Sequence, residues 1–132
     1  MKFHVFLSTG LRGETEESMK WHRHWAENYV RNEIEVIREE DEIEVVDNFI
    51  VENRKNYDSL REKKLLDYAC ALTKMSYCDF FVLLKEYDES IKPGCMLELN
   101  AWLAAGGQQP FVRQKIKYQE GLEDESGKSR IL

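Results

Sequence analysis

The chain has 132 residues, which is the size of one domain and too short for two independent hydrophobic cores. Its 42% hydrophobic and 33% charged residues, with only two prolines, are typical of a globular protein rather than a disordered one. The formal net charge of −6 argues against the broad positive surface that non-specific binding to nucleic acids or anionic membranes requires.

The sequence carries no apolar segment long enough for a membrane. Its longest unbroken apolar run, from Phe80 to Leu84, is far shorter than the roughly 20 residues that span a bilayer. Met1 is followed at once by a predicted strand, without the basic and long apolar regions of a signal peptide. We therefore expect a cytoplasmic protein that does not bind a membrane.

The three cysteines, Cys70, Cys78 and Cys95, are odd in number and widely spaced. This pattern fits neither a disulfide framework nor a C-x-x-C metal pair. We interpret them as small buried thiols in a reducing compartment, and we expect neither a metal nor another cofactor.

The first predicted elements are a strand and a helix. Residues 2–8 form a short, nearly continuous apolar run that predicts a buried strand, and residues 9–15 form a loop with two glycines. Apolar residues then recur at three- and four-residue spacing from Met19 to Val30, which predicts an amphipathic helix. The helix is expected to end across the acidic residues 38–42.

The later elements continue this alternation. In chain order they are predicted as a strand over 43–50, a polar connection over 53–58, a helix over 59–77, a strand over 79–84, a loop over 85–94, a helix over 95–105 and a short strand from Phe111. The inward face of the second helix is predicted to hold Leu65, Ala69, Leu72 and Ser76. Its polar strip holds Asp67, Ala71 and Lys74.

Strands that alternate with helices predict an α/β fold, with one domain over 1–118 and a flexible polar tail over 119–132. We expect a flavodoxin- or Rossmann-like open parallel sheet of about four to five strands, with helices on both faces. Ligands of such sheets bind beyond the carboxyl ends of the strands. The loops after the first strand and after the 79–84 strand are therefore the candidate site.

The first of these loops has the composition of an anion-binding turn. Glycines at Gly10 and Gly13 let backbone N–H groups face a ligand at a helix N-terminus, where the helix dipole favours negative charge. Ser8 and Thr9 supply hydroxyl groups, and Arg12 supplies a forked cation suited to a phosphate or carboxylate. The alternative is that the glycines serve only the turn.

The helix after the second loop is apolar in nearly every direction, so we expect it to be buried on most sides. Glu98 is its only charged residue and is predicted in its first turn, where the helix dipole can keep a desolvated carboxylate ionised. One interpretation is a carboxylate presented to a pocket at the sheet edge. The alternative is a salt bridge or a helix cap.

Three segments together resemble the nucleoside 2-deoxyribosyltransferase superfamily. They are VFLSTGLRGE after the first strand, CDFFVLL as a central strand, and an S-x-x-x-G-x-x-x-E-x-x-x-W pattern at Ser90, Gly94, Glu98 and Trp102. The STGLRG loop is most similar to the 2'-deoxynucleoside 5'-phosphate N-hydrolases and to short phage-associated relatives. The resemblance extends over about residues 2–112.

The resemblance implies a flavodoxin-like, often dimeric protein that cleaves the N-glycosidic bond of a 2-deoxynucleoside or its monophosphate. It implies that Glu98 attacks the anomeric carbon, which is consistent with the carboxylate chemistry of glycosidases. It also implies that sugar and phosphate are held by the loop from Ser8 to Gly13 and by the segment that contains Ser90 and precedes Gly94. The expected partner is a nucleoside or nucleotide, in a homo-oligomer.

The sequence departs from the family at the second carboxylate. The family's aspartate position holds Ala71, and Asp67 lies one turn earlier, where it is the candidate acid that protonates the departing base. The Ser-x-Gly spacing of the phosphate segment is stretched between Ser90 and Gly94. These departures leave open a protein that binds a nucleotide without turning it over.

A third alternative is a TIR-like NAD-cleaving or scaffolding domain. It draws on the VFLS segment and on the C-x-x-E-L arrangement of Cys95 and Glu98, whereas Gly94 and the STGLRG loop fit it less well.

The segment from Trp21 to Trp25 contains two tryptophans and two histidines. His22 and His24 are two positions apart on a predicted helix, so they cannot chelate one metal together, and His22 is expected in the core. Trp21 and Trp25 lie one turn apart, where they could stack on a base or pack against another subunit.

Overall fold

The computed structural model describes residues 1–49 and 59–116. Seven elements follow one another along the chain: β1 (Lys2–Thr9), α1 (Glu16–Glu33), β2 (Glu42–Val46), α2 (Leu60–Met75), β3 (Phe80–Lys85), α3 (Pro93–Ala104) and β4 (Phe111–Gln114). The predicted alternation of strands and helices is confirmed. The predicted connection over 53–58 and the predicted tail over 119–132 lie outside the described residues.

The helix starts follow from local sequence. Thr15 caps α1 by accepting a hydrogen bond from the Ser18 backbone N–H at 3.1 Å, and the Ser18 hydroxyl accepts from the Thr15 N–H in return. Ser59 caps α2 in the same manner through the N–H of Glu62, at 3.1 Å. Pro93 opens α3 at a position where a missing N–H costs nothing.

The four strands form one all-parallel sheet in the order β2-β1-β3-β4. Val5 of β1 pairs with Val45 on one side and with Phe80 on the other. This is the predicted open parallel α/β sheet of the flavodoxin or Rossmann kind. Its strand order reverses between β1 and β3, so the chains leaving these neighbouring strands continue on opposite faces and open a crevice at their carboxyl ends.

Side chains of the two central strands alternate between two cores. Val5, Leu7, Val82 and Leu84 pack with α1 on one face. Phe6, Phe81 and Leu83 face the other side and pack with α2 and α3 through Ala71 and Trp102. Each such buried side chain contributes about 1.5–3 kcal/mol relative to an exposed one. Helices therefore cover both faces of the sheet, as predicted.

The predicted inward face of α2 is wrong. Leu65 is 57% exposed and Leu72 is 38% exposed, whereas Ala71 and Met75 are buried against the sheet. The small side chain of Ala71 lets the helix lie close to Phe6 and Phe81. The residues of the polar strip face inward because they lie above the carboxyl end of β2, where polar groups find partners: the Lys74 ammonium donates to the Asp47 carbonyl at 2.6 Å.

Two further expectations about the helices need correction. α3 buries Cys95 and Trp102, but Met96, Leu97 and Leu103 are exposed, so a single chain does not cover it on most sides. The helix also begins at Pro93, two residues earlier than predicted, which places Glu98 in its second turn rather than its first. The helix dipole is therefore a weaker influence on Glu98 than the sequence indicated.

Of the three cysteines only Cys95 is buried, whereas Cys70 and Cys78 are half-buried. Burial raises the pKa of the Cys95 thiol to about 11, which keeps it protonated at neutral pH. Within residues 1–49 and 59–116, no helix combines the length and the apolar character needed to cross a membrane.

Candidate functional site

A cleft of about 810 Å³ opens at the carboxyl ends of β1, β2 and β3. Its walls come from the β1–α1 loop, the residues after β2, the first half of α2, and the β3–α3 loop with the start of α3. This is the edge at which the strand order reverses, where ligands of open parallel sheets bind. The volume lies within the range of about 300–1,000 Å³ that small-molecule sites occupy.

Glu98 lines the cleft, and its Oε1 accepts a hydrogen bond of 2.6 Å from the hydroxyl of Ser8 at the end of β1. Burial raises the pKa of Glu98, and the negative charge of Asp47 adds to this, while the Ser8 hydrogen bond and the Lys74 ammonium oppose it. In the described part of the chain, no lysine or arginine forms an ion pair with Glu98, and its Oε2 makes no hydrogen bond. The salt-bridge alternative is therefore not what the geometry supports.

The β1–α1 loop brings most of its predicted residues to the cleft. Thr9, Gly10 and Arg12 line it, while Ser8 reaches it through Glu98. Gly13 does not line it; with φ of +84° it occupies the left-handed turn that glycine adopts without strain. The structural interpretation of the glycines thus holds for Gly13.

Gly10 lies directly beneath the side chain of Glu86, which follows β3. A Cβ atom at this position would meet Glu86 Oε2 at 2.6 Å and Lys92 Cγ at 2.9 Å, so a larger residue here would require both side chains to shift. A carboxylate next to the Gly10 backbone disfavours a phosphate at that point, because like charges repel at short range. An anion is therefore bound more favourably at the opposite wall of the cleft than beside Gly10.

That wall is the N-terminal end of α3. Lys92 is the N-cap residue, its side chain makes no capping hydrogen bond, and both Lys92 and Gly94 line the cleft. Ser90 does not line it; its carbonyl accepts from the Glu86 N–H at 2.8 Å, and its N–H donates to Asp88 Oδ1 at 2.9 Å. Lys92 lies two residues before Gly94, which is where the family's Ser-x-Gly spacing would place the serine.

Four cationic side chains line the cleft: Arg12, Lys63, Lys64 and Lys92. They face three carboxylates, Asp67, Glu86 and Glu98. A chain with a net charge of −6 thus carries a small excess of positive charge in the walls of this cleft. Such local focusing attracts anionic ligands even to an acidic protein.

Asp67, the candidate acid, lines the same cleft as Glu98. Its Oδ2 lies 2.6 Å from the Lys63 ammonium, and its carbonyl accepts a hydrogen bond from the Asn48 amide at 2.8 Å. Ala71, which stands at the expected position of the second carboxylate, is fully buried in the core and does not line the cleft. The structure therefore brings Asp67 and Glu98 into one site and leaves Ala71 out of it.

The sequence did not indicate that the residues after β2 belong to the site. The predicted strand over 43–50 ends at Val46, and Asn48 and Phe49 turn into the cleft wall opposite Tyr68 of α2. Asp47 is buried and holds this turn through the Arg23 guanidinium, at 2.5 Å and 3.2 Å from its two carboxylate oxygens. The Asp-Asn pair is a turn signal that could have shortened the predicted strand.

The tryptophans of α1 lie elsewhere. Trp21 is buried with its ring edge-to-face against His22, and Trp25 stacks on Tyr29 in the core with 5.1 Å between ring centroids. His22 is buried as predicted, with Nε2 at 3.0 Å from Glu14 Oε1. None of these five side chains lines the cleft. Among the described residues, no group of three or more His, Cys, Asp and Glu side chains is arranged to hold a metal ion.

No protein-family model matches the chain, and the search of curated proteins finds no match either. The chemistry of the cleft therefore follows from its own residues: one half-buried carboxylate hydrogen-bonded through one oxygen, a second carboxylate paired with a lysine, and cations in the walls.

Proposed function

We propose that the protein is an N-glycosidase or deoxyribosyltransferase-like enzyme that cleaves the N-glycosidic bond of a nucleoside or deoxynucleoside 5'-monophosphate. The observation that carries this proposal is Glu98: a half-buried carboxylate, held through one oxygen by Ser8, with its other oxygen available in a cleft lined by cations. An enzyme of this kind needs such a fixed carboxylate beside the anomeric carbon.

Glu98 is the proposed nucleophile. Its Oε2 attacks the anomeric carbon and forms a carbon–oxygen bond as the carbon–nitrogen bond to the base breaks, with positive charge developing on the sugar. The electron pair of the broken bond leaves with the base, which takes up a proton. Water, which gives up a proton to Asp67, or a second base in a transfer reaction, then attacks the same carbon. The carbon–oxygen bond to Glu98 breaks, which restores the carboxylate. The Ser8 hydroxyl keeps Glu98 oriented through both steps.

Asp67 is the proposed donor of that proton. Its carboxylate is paired with Lys63. Lys63 also lines the cleft, so a bound phosphate would compete with Asp67 for the ammonium. This arrangement would replace the carboxylate that the family resemblance led us to expect at Ala71.

The cations and rings of the cleft support a nucleotide as the ligand. Arg12 and Lys92 are suited to the 5'-phosphate, and Lys92 lies at a helix N-terminus, where anions are stabilised. Phe49 and Tyr68 supply aromatic rings on which a base can stack. A cytoplasmic protein, with access to the nucleotide pool, fits this activity.

A second candidate is a protein that binds a nucleotide without cleaving it. The specific observation in its favour is that Ala71 lies in the core and that Asp67 is engaged by Lys63. In this case the cleft and its cations retain the ligand, while protonation of the leaving base is lost.

The decisive experiment is incubation of the protein with deoxynucleoside and nucleoside 5'-monophosphates, the parent nucleosides and NAD, with free base measured by chromatography. We expect base release from a 5'-monophosphate, and its loss in Glu98→Ala. Glu35→Gln, an exposed glutamate far from the cleft in sequence, is the matched control and should keep full activity. Equal rates in wild type and Glu98→Ala would refute catalysis, nucleotide binding without release would favour the second candidate, and cleavage of NAD alone would favour the TIR-like alternative.

A further inference from the structure

Lys115 is a buried lysine that no sequence pattern pointed to. It follows β4, its backbone N–H continues the sheet by donating to the Lys85 carbonyl at 2.7 Å, and its side chain is 2% exposed. Burial alone would lower the pKa of this ammonium, but the hydrogen bond to Glu14 and the charges of Glu14 and Glu86 outweigh burial and raise it. Lys115 is therefore a fixed positive charge inside the protein.

The ammonium of Lys115 connects both loops of the cleft. It donates to the carbonyl of Gly10 at 2.9 Å and to Glu14 Oε2 at 2.8 Å, both in the β1–α1 loop, and it lies 3.4 Å from Glu86 Oε2 after β3. It also lies 5.9 Å from the centroid of the Tyr87 ring. One side chain thus joins segments that are up to 105 positions apart in the sequence.

Glu14 anchors this group to α1. Its Oε1 accepts from the Ser18 hydroxyl at 2.7 Å and lies 3.0 Å from Nε2 of His22, while Lys115 takes the other oxygen. Both carboxylate oxygens are therefore engaged. The first loop is held between its own helix on one side and Lys115 on the other.

A buried charged network of this kind is an expensive way to stabilise a fold, because an apolar side chain of similar size serves as well or better. Unlike an apolar side chain, such a network fixes the relative positions of the groups that it joins. Here the joined groups are Gly10 and Glu86, and both of them line the cleft.

We propose that Lys115 is a positioning residue for the cleft: its ammonium holds the Gly10 carbonyl and the Glu86 carboxylate in fixed relation, so that the β1–α1 and β3–α3 loops are preorganised for the ligand. The consequence for nucleotides rests on the proposed function. The effect on the loops themselves does not, and it can be measured on the free protein.

The test compares wild type with Lys115→Met, the double variant Glu14→Gln/Lys115→Met, and Lys85→Met as the matched control. The Lys115→Met substitution removes the cation that pairs with Glu14, so this variant is expected to unfold at a lower temperature than wild type. The double variant removes both charges and is expected to recover most of the thermal midpoint, so that stability and positioning are separated. Lys85, the last residue of β3, does not line the cleft.

The first readout is amide hydrogen exchange of the segment 8–14, measured by mass spectrometry without ligand. Loss of the hydrogen bonds from a charged donor should speed this exchange by about tenfold in both variants that lack Lys115, and not in Lys85→Met. The second readout is the KM and kcat for the best 5'-monophosphate, where KM should rise by about tenfold and kcat should change by less than about twofold.

Unchanged exchange in segment 8–14 would overturn the proposal whatever the enzymatic result. Recovery of wild-type exchange in the double variant would also overturn it, because Lys115 would then only neutralise Glu14. If wild type neither binds nor cleaves any nucleotide, the proposed function fails, while the exchange data still decide the role of Lys115.

Discussion

Ser8 at the end of β1 donates a hydrogen bond of 2.6 Å to Glu98 on α3, across ninety positions of sequence. This contact joins the end of β1 to α3, and it lowers the pKa of Glu98, whereas burial raises that pKa. Ser8 is itself buried, so the hydroxyl has little freedom to turn away.

Replacement of Ser8 by alanine should move the pH dependence of the reaction. Glu98 must be ionised to attack, so the rate falls as the pH drops through the pKa of Glu98. Without the Ser8 hydroxyl that pKa rises further, and the acidic limb of the kcat/KM profile should shift to higher pH. A loss of about tenfold in kcat/KM at neutral pH is expected for a missing hydrogen bond to a charged group. An unchanged acidic limb would mean that Ser8 does not tune the nucleophile.

Glu98→Gln should abolish activity while it stabilises the protein. The raised pKa of Glu98 means that the folded state holds its proton more tightly than the unfolded state, so ionisation of Glu98 costs stability as the pH rises above 4.5. The amide carries no charge, and a gain of about 1 kcal/mol would raise Tm by roughly 4 °C at pH 7. The gain should shrink below pH 4.5, which thermal unfolding at several pH values will show. A lower Tm at pH 7 would contradict a raised pKa for Glu98 in the folded protein.

Lys92→Gln should weaken the binding of the phosphate group specifically. We expect KM for a 5'-monophosphate to rise by about tenfold, as is typical when a charged hydrogen bond is lost, while KM for the parent nucleoside stays nearly unchanged. Ser90→Ala serves as the control, because Ser90 does not line the cleft. If Ser90→Ala instead raised KM for the 5'-monophosphate more than Lys92→Gln did, Ser90 rather than Lys92 would hold the phosphate.

Glu14→Gln should destabilise the protein at neutral pH and much less in strong acid. Burial opposes ionisation of Glu14, yet hydrogen bonds from His22, Lys115 and Ser18 lower its pKa from 4.5 to about 2. Its ionised form therefore contributes stability above pH 4.5, about 3 kcal/mol by linkage, and this contribution disappears as the pH falls from 4.5 toward 2. Urea unfolding of both proteins from pH 7 to pH 2 measures the difference. A difference independent of pH would show that packing, not charge, is lost.

The outer faces of α2 and α3 should form an interface between two copies of the chain. Seven of the eleven exposed large apolar side chains in the described residues belong to these two helices, among them Leu72 and Leu103. Clusters of this kind mark interaction surfaces. Light scattering should give a dimer for wild type and a monomer for Leu72→Glu/Leu103→Glu. Val36→Glu, exposed on the α1–β2 connection, is the control and should remain dimeric; a monomeric wild type would exclude this interface.

Much of the architecture could be read from local pattern. Apolar runs such as that from Phe80 to Leu84 and the helical spacing from Met19 to Val30 depend on neighbours within a few residues, so they predicted the elements and, through their alternation, the parallel sheet. Because ligands of such sheets bind at the carboxyl edge, the same pattern also directed attention to Glu98 and to the loop at Gly10.

The remaining features depended on contacts between distant segments. Leu65 and Ala71 are both residue types that can face the core from a helix. Only the packing of α2 against Phe6 and Phe81 determined that Ala71 faces inward. Lys115 meets Gly10 only because β4 joins the sheet beside β3. Periodicity reports which residues share a face of one element, whereas the partner of that face, and the charges that meet there, are determined by how the elements pack.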